Sequence, residues 1–152
     1  MASKTRNYFI SPKLEIKQST IPGAGVGVFA KERIAPLEEI EFAMCKLCHA
    51  DMLYEYGDTW LADYAFTWCK DHAAIGFGFS GIYNHNFNNN VTYYMIEEPQ
   101  GILYKAIKSI EAGEEIFNRY CPPQSVGSLW FIPENALDPS DENAREPNPD
   151  LI

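Results

Sequence analysis

The feature that most constrains this chain is its punctuation: short β-favouring runs are each cut off by glycine, proline or asparagine. Leu14 and Ile16 alternate with charged neighbours, as a half-buried strand does. Ile21-Pro-Gly-Ala-Gly-Val-Gly then turns the chain, and Val26 to Ala30 reads as a second strand. Ile34-Ala-Pro-Leu-Glu-Glu is a turn leading into the strand-like run Glu39 to Cys45. Thr92 to Ile96 and Ile102 to Ile107 read as strands paired across the turn around Pro99-Gln-Gly. Ser109-Ile-Glu-Ala-Gly-Glu-Glu is a further turn, and Ile116 to Tyr120 a last short strand. No long helical period appears, and helices do not alternate with parallel strands. The pattern predicts a mostly β fold and argues against a doubly wound nucleotide fold.

Two stretches resist this reading. From Asp51 to Trp68 the aromatics Tyr54, Tyr56, Trp60, Tyr64, Phe66 and Trp68 recur among small and acidic residues. Periodicity there does not choose between a loop with a short strand and one with a short helix. Phe77-Gly-Phe-Ser-Gly is too rich in glycine for a regular element.

With 152 residues the chain fits one domain. Its organisation reads as an N-terminal extension over 1–12, a folded domain over 13–132 and an acidic tail over 133–152, where proline, asparagine and acids predict disorder. Net charge is −9, and residues 134–152 carry six acids against Arg145 alone, so −5 lies in that segment. Such a balance repels nucleic acid and attracts basic partners, although taken alone it is ordinary solubility. Apolar runs fall short of a membrane span, and no charged-then-apolar leader opens the chain. A soluble, intracellular protein is the expectation. Cys45, Cys48, Cys69 and Cys121 are then expected as thiols or metal ligands rather than disulfides.

Three features carry chemistry. Gly23-Ala-Gly-Val-Gly-Val-Phe-Ala is a glycine-dense turn running into a strand, where backbone can approach a ligand closely. No helix follows it, so it is no dinucleotide fingerprint. Tyr83-Asn-His-Asn-Phe-Asn-Asn-Asn is a poor composition for a strand or helix. It reads either as a polar surface loop or as amide and imidazole groups lining a pocket. Ile107-Lys-Ser-Ile-Glu-Ala-Gly-Glu-Glu-Ile-Phe-Asn-Arg-Tyr is a turn delivering a strand that ends on a tyrosine. Separately, Cys45-Lys-Leu-Cys48 with Cys69-Lys-Asp-His72 has the spacing of a tetrahedral zinc site, kept as a minor alternative to unliganded thiols.

Taken in order, the three features resemble the SET domain of protein lysine methyltransferases. The glycine turn is similar to the family's first motif, followed by Ile34-Ala-Pro-Leu-Glu-Glu-Ile. Asn84-His85-Asn86 with Asn89-Asn90 resembles the family's Asn-His-Ser motif that closes with Pro-Asn. Gly113-Glu114-Glu115-Ile116 and Tyr120 match its Gly-Glu-Glu-Ile and tyrosine residue by residue. The likeness covers residues 13–121, and with Gly76-Phe-Gly-Phe-Ser-Gly-Ile before the asparagine run it is nearest the small single-domain viral and bacterial SET proteins.

The resemblance implies a SET-domain (β-clip) fold of short strands and small sheets with a C-terminal pseudoknot. It implies S-adenosylmethionine as cofactor, held by Gly25, Val26, Gly27, Asn84, His85, Tyr120 and Trp130, the last covering the adenine. Tyr120 is the implied catalytic residue, and Tyr64, Phe79 and Tyr83 the implied channel walls around the substrate lysine. The substrate is expected to be a basic protein or peptide, a histone tail among the candidates, and relatives of this size can form homodimers. Departures are Leu37 where glycine is usual, Asn86 for serine, Asn89 for proline, and Arg119 and Cys121 flanking the tyrosine. They leave open an alternative: a catalytically impaired SET-derived module that binds cofactor or peptide.

Overall fold

The computed structural model describes residues 5–54 and 60–120. In chain order its strands begin β1 (Phe9–Ile10), β2 (Leu14–Gln18), β3 (Val26–Ala30) and β4 (Glu39–His49). A short helix α1 (Ala50–Tyr54) and a 3₁₀ turn (Ala62–Tyr64) precede β5 (Ala65–Thr67) and β6 (His72–Gly76). The chain continues through β7 (Asn84–His85), β8 (Val91–Ile96), β9 (Gly101–Ala106) and β10 (Glu115–Asn118). The expected mostly β architecture is what these residues form. No helix among them is long and apolar enough to cross a membrane.

β4 organises the larger sheet, ordered β5-β6-β4-β9-β8 with β1 also on β4. Its first half pairs antiparallel with β9 (Phe42 opposite Leu103) and its second half with β6 (Leu47 opposite Ala74). Ile40 to Ala43 are all buried, so β4 is covered on both faces there. Part of that cover comes from the N-terminal residues: Tyr8 stacks on Phe42 at 5.0 Å, and Arg6 lies over the same ring. The segment read as an extension is therefore partly built into the sheet. The predicted hairpin of Thr92 to Ile96 with Ile102 to Ile107 is β8–β9, in register from Val91–Ala106 to Ile96–Gly101.

The smaller sheet runs β2-β3-β10-β7. Val28, Ile34, Ile40, Ile102, Tyr104, Ile110 and Ile116 are fully buried and form the core the sheets share. The departure at Leu37 has a backbone consequence. Leu37 has a φ of 67° in the turn after Ala35-Pro36, closed by the Glu38 N–H on the Ala35 carbonyl. Proline then a residue with positive φ is the type II arrangement that favours glycine. Leucine is tolerated because its side chain points to solvent.

One reading is corrected, and one minor alternative finds no support among the described residues. The asparagine run was expected to hold no regular structure, yet Asn84 and His85 form β7, parallel to β10. Tertiary pairing outweighs poor β propensity when a neighbouring strand offers its edge. The zinc quartet is not assembled. Cys45 and Cys48 are three apart on one strand, and alternation sends them to opposite faces. Cys45 is buried in the core, while Cys69 is exposed beside His72, Sγ to Nδ1 3.8 Å. Among the described residues no three His, Cys, Asp or Glu side chains converge as a metal site.

Candidate active site around Tyr120

Parallel pairing of β7 with β10 brings two distant motifs together. Asn84 lies opposite Phe117 and His85 opposite Asn118, so Tyr120 leaves the strand beside the imidazole. The Tyr120 N–H donates to His85 Nδ1 at 2.9 Å, and its hydroxyl donates to the Tyr83 carbonyl at 2.5 Å. The residue is thus pinned at backbone and at ring tip. Burial, with a smaller contribution from Tyr64, pushes the Tyr120 hydroxyl up to about 12. At neutral pH it is a donor and a dipole, not a base.

His85 is buried, and burial reinforced by the Arg119 charge holds its pKa down to about 4. It is therefore neutral at pH 7. Because Nδ1 accepts from Tyr120, its proton lies on Nε2. Protonating Nδ1 would set two donors against each other and release the Tyr120 backbone.

Asn84 turns its amide towards the glycine turn. Nδ2 donates to the Val26 carbonyl at 3.0 Å, to Ser19 Oγ at 3.1 Å and to Glu115 Oε1 at 3.0 Å. The Glu115 carboxylate also accepts from the Ser19 hydroxyl, the Thr20 N–H and the Thr20 hydroxyl. Burial pushes its pKa up, but the bonds from Thr20, Asn84 and Ser19 together hold it below the usual carboxylate value. This carboxylate explains Gly27: a Cβ there would lie 2.1 Å from Glu115 Oε1. At Gly25, with φ 75°, a Cβ would meet nothing within 4 Å, and Val26 is half exposed. Among the described residues, nothing covers the outer edge of the turn.

Tyr120 also lines a cavity of about 160 Å³, with aromatic walls from Tyr64, Phe66 and Tyr93 and polar groups from Asp63 and Ser80. None of Gly25, Val26, Gly27, Asn84 and His85 lines it, so Tyr120 joins the cavity to the glycine and asparagine side.

The sequence-expected residues fall into three groups. Gly25, Val26, Gly27, Asn84, His85 and Tyr120 form one connected set, and Tyr64 stands in the cavity wall. Tyr83 and Phe79 do not line the cavity. The Tyr83 ring is buried against Tyr104 at 4.6 Å, and what it gives the site is its carbonyl. Phe79 packs half-buried against the core. Trp130 and Cys121 lie outside the described residues. Arg119 grips the Phe87 carbonyl at 2.6 Å with its charge over the Phe87 ring, and is not a cavity residue.

Sequence reasoning missed Phe66 and Tyr93 as walls, and Glu115 and Glu41 as anchors. Glu41 is fully buried between Ile40 and Phe42. Its Oε2 accepts from the Tyr83 hydroxyl at 2.5 Å and its Oε1 from the Phe79 N–H at 2.8 Å. Burial raises its pKa to about 7 despite both bonds. No clear signal marked it, because Glu39 and Glu41 alternate with Ile40 and Phe42 as the solvated face of a strand would.

Residues 25–121 match the SET domain family. A fission yeast (Schizosaccharomyces pombe) histone-lysine N-methyltransferase specific for H3 lysine-37 is 26% identical over 139 residues, covering 88% of this chain and 90% of that one. A candidate histone methyltransferase of Plasmodium falciparum shares the fold with a TM-score of 0.60 at 24% identity, over 74% of this chain and 96% of its own. The Chaetomium thermophilum polycomb repressive complex 2 gives a TM-score of 0.59 at 25% identity, over 74% of this chain and 16% of that chain. None of these three is viral or bacterial; what the two solved structures share with this chain is the fold. The chain belongs to the SET-domain family and is an S-adenosylmethionine-dependent protein-lysine methyltransferase.

Proposed function

We propose that this enzyme methylates a lysine of a histone tail, with Tyr120 as the catalytic residue. The observation that carries the reading is the double role of Tyr120: it lines the aromatic cavity and is bonded to His85 on the other motif. The fission yeast relative is by name specific for a lysine of histone H3. The net charge of −9 suits a basic tail, and a nuclear workplace follows from that substrate.

The chain's groups fit the cofactor. The open backbone edge at Gly25 and Val26 can receive a flat, polar ligand, and Asn84, Gly27 and His85 form its floor. When bound, S-adenosylmethionine supplies a methyl group on a positively charged sulfur. Tyr64, Phe66 and Tyr93 sheathe the lysine stem and exclude water around it. A free lysine has a pKa of about 10.4, and both an apolar sheath and a neighbouring cation favour its neutral, nucleophilic form. Tyr120, held protonated, cannot take the amine's proton, which leaves to solvent; its fixed hydroxyl and the adjacent Tyr83 carbonyl orient the nitrogen lone pair.

The test is purified full-length chain with S-adenosylmethionine and histone H3, H4, H2A and H2B tail peptides, read by mass spectrometry. Methyl gain on a lysine of one tail is the expected result. Cofactor binding without transfer to any tail would refute the histone reading.

A further inference from the structure

We propose that Glu41 is a positioning residue for methyl transfer, holding the 79–83 segment so that the Tyr83 carbonyl aims the Tyr120 hydroxyl. This rests on the reading of Tyr120 given above. The carboxylate lies fully buried on β4, outside the cavity. It bonds both ends of one short segment: the Phe79 N–H on Oε1 and the Tyr83 hydroxyl on Oε2. Gly78, with φ 70°, lets the turn sit directly on it, since a Cβ there would come within 2.4 Å of Oε1. The clamped segment supplies two parts of the site. Ser80, bonded to the Tyr104 hydroxyl at 2.6 Å, lines the cavity, and the Tyr83 carbonyl receives the Tyr120 hydroxyl.

An apolar side chain would fill this place in the core more cheaply than a carboxylate. What the acid adds is direction: two fixed acceptors that a rotamer change cannot satisfy elsewhere. Tyr83 is the link, because one residue carries both the hydroxyl bound by Glu41 and the carbonyl bound by Tyr120. Among the described residues, Tyr83 from the segment and Tyr104 from β9 are the titratable groups facing Glu41; β1 sets Ile10 opposite it. Arg6 and Lys13 are engaged elsewhere, with Glu39 and Glu38. The elevated Glu41 pKa agrees with a group whose ionisation the fold restrains.

Loosening such a support by a fraction of an ångström costs turnover rather than binding, on the order of 10- to 100-fold. The experiment compares wild type, Glu41→Gln, Tyr83→Phe and the double variant as full chains, with melting curves alongside kinetics. Expected are a kcat at least tenfold lower in each variant, with KM for peptide and Kd for S-adenosylmethionine within twofold. The double variant should be no worse than the worse single one. The ratio of wild-type to Glu41→Gln kcat should also change with pH around 7. Folded single variants with kcat within twofold of wild type would overturn the proposal. So would a double variant whose loss is the product of the two single losses. If Glu41→Gln does not fold, Tyr83→Phe alone decides. A wild type that transfers no methyl refutes the reading of Tyr120 instead, so the two failures are distinguishable.

Discussion

Replacing Glu41 by glutamine should expose a pH dependence of stability that the wild-type chain conceals. Glu41 and His85 are both buried, and their pKa values are displaced in opposite senses. Glu41 rises from 4.5 to about 7, so the folded state binds a proton that the unfolded chain has already lost. Its contribution is most favourable below pH 4.5 and falls as pH climbs to about 7. His85 drops from 6.5 to about 4, so the unfolded chain takes up a proton that the folded state refuses. Its contribution is full above pH 6.5 and is lost as pH falls to about 4. Each displacement, at 1.36 kcal/mol per unit, corresponds to about 3 kcal/mol. Between pH 4.5 and 6.5 the two slopes oppose each other, and the wild type should be nearly level. Glu38 and Glu115, whose pKa values are lowered, act below that window. Urea unfolding followed by circular dichroism, repeated across pH 4 to 7, measures this. Glu41→Gln should gain about 3 kcal/mol as pH rises from 4 to 6.5, whatever its offset from wild type. His85→Gln should slope the other way. A Glu41→Gln curve parallel to wild type would refute the assignment of opposed titrations.

Other outcomes follow from single contacts. Tyr120→Phe should lower kcat on the order of 10²-fold or more with little change in cofactor Kd, because it removes the hydroxyl proposed to orient the reacting amine; equal losses in kcat and cofactor binding would contradict that role. Leu37→Gly should raise stability by about 1 kcal/mol by relieving the positive φ, read as a higher urea midpoint. Gly27→Ala should destabilise by about 1–3 kcal/mol, because the new methyl meets the Glu115 carboxylate, and should weaken cofactor binding in the same preparation.

Much of the fold was legible because short alternating runs and turn residues report strands directly. Val26–Ala30 and the β8–β9 hairpin follow from β-favouring runs with glycine and proline at the corners, and Leu14–Gln18 is a strand as expected, although of the alternating pair only Leu14 is buried and Ile16 is exposed. β7 was not legible, because nothing in Asn84-His85 announces a strand; its partner β10 lies some thirty residues away. The motif residues Asn84, His85 and Tyr120 could be named in advance, but not the bonds that unite them, which depend on that pairing. Channel walls were the least readable. Tyr64, Tyr83 and Tyr93 are alike as residues, and only their places decide that Tyr83 turns into the core while Tyr93 faces the cavity. Glu41 was not legible, because Glu39 and Glu41 alternate with Ile40 and Phe42 like a solvated face, and its partners come from a loop far along the chain.

Tyr120 is proposed to join a cofactor face to a lysine cavity. Single-turnover methyl transfer to a histone tail, measured for wild type and Tyr120→Phe at saturating S-adenosylmethionine, tests it most directly. Label on a peptide lysine is expected with wild type, and transfer slowed on the order of 10²-fold or more in the variant with cofactor still bound. Equal transfer rates for the two proteins would contradict it.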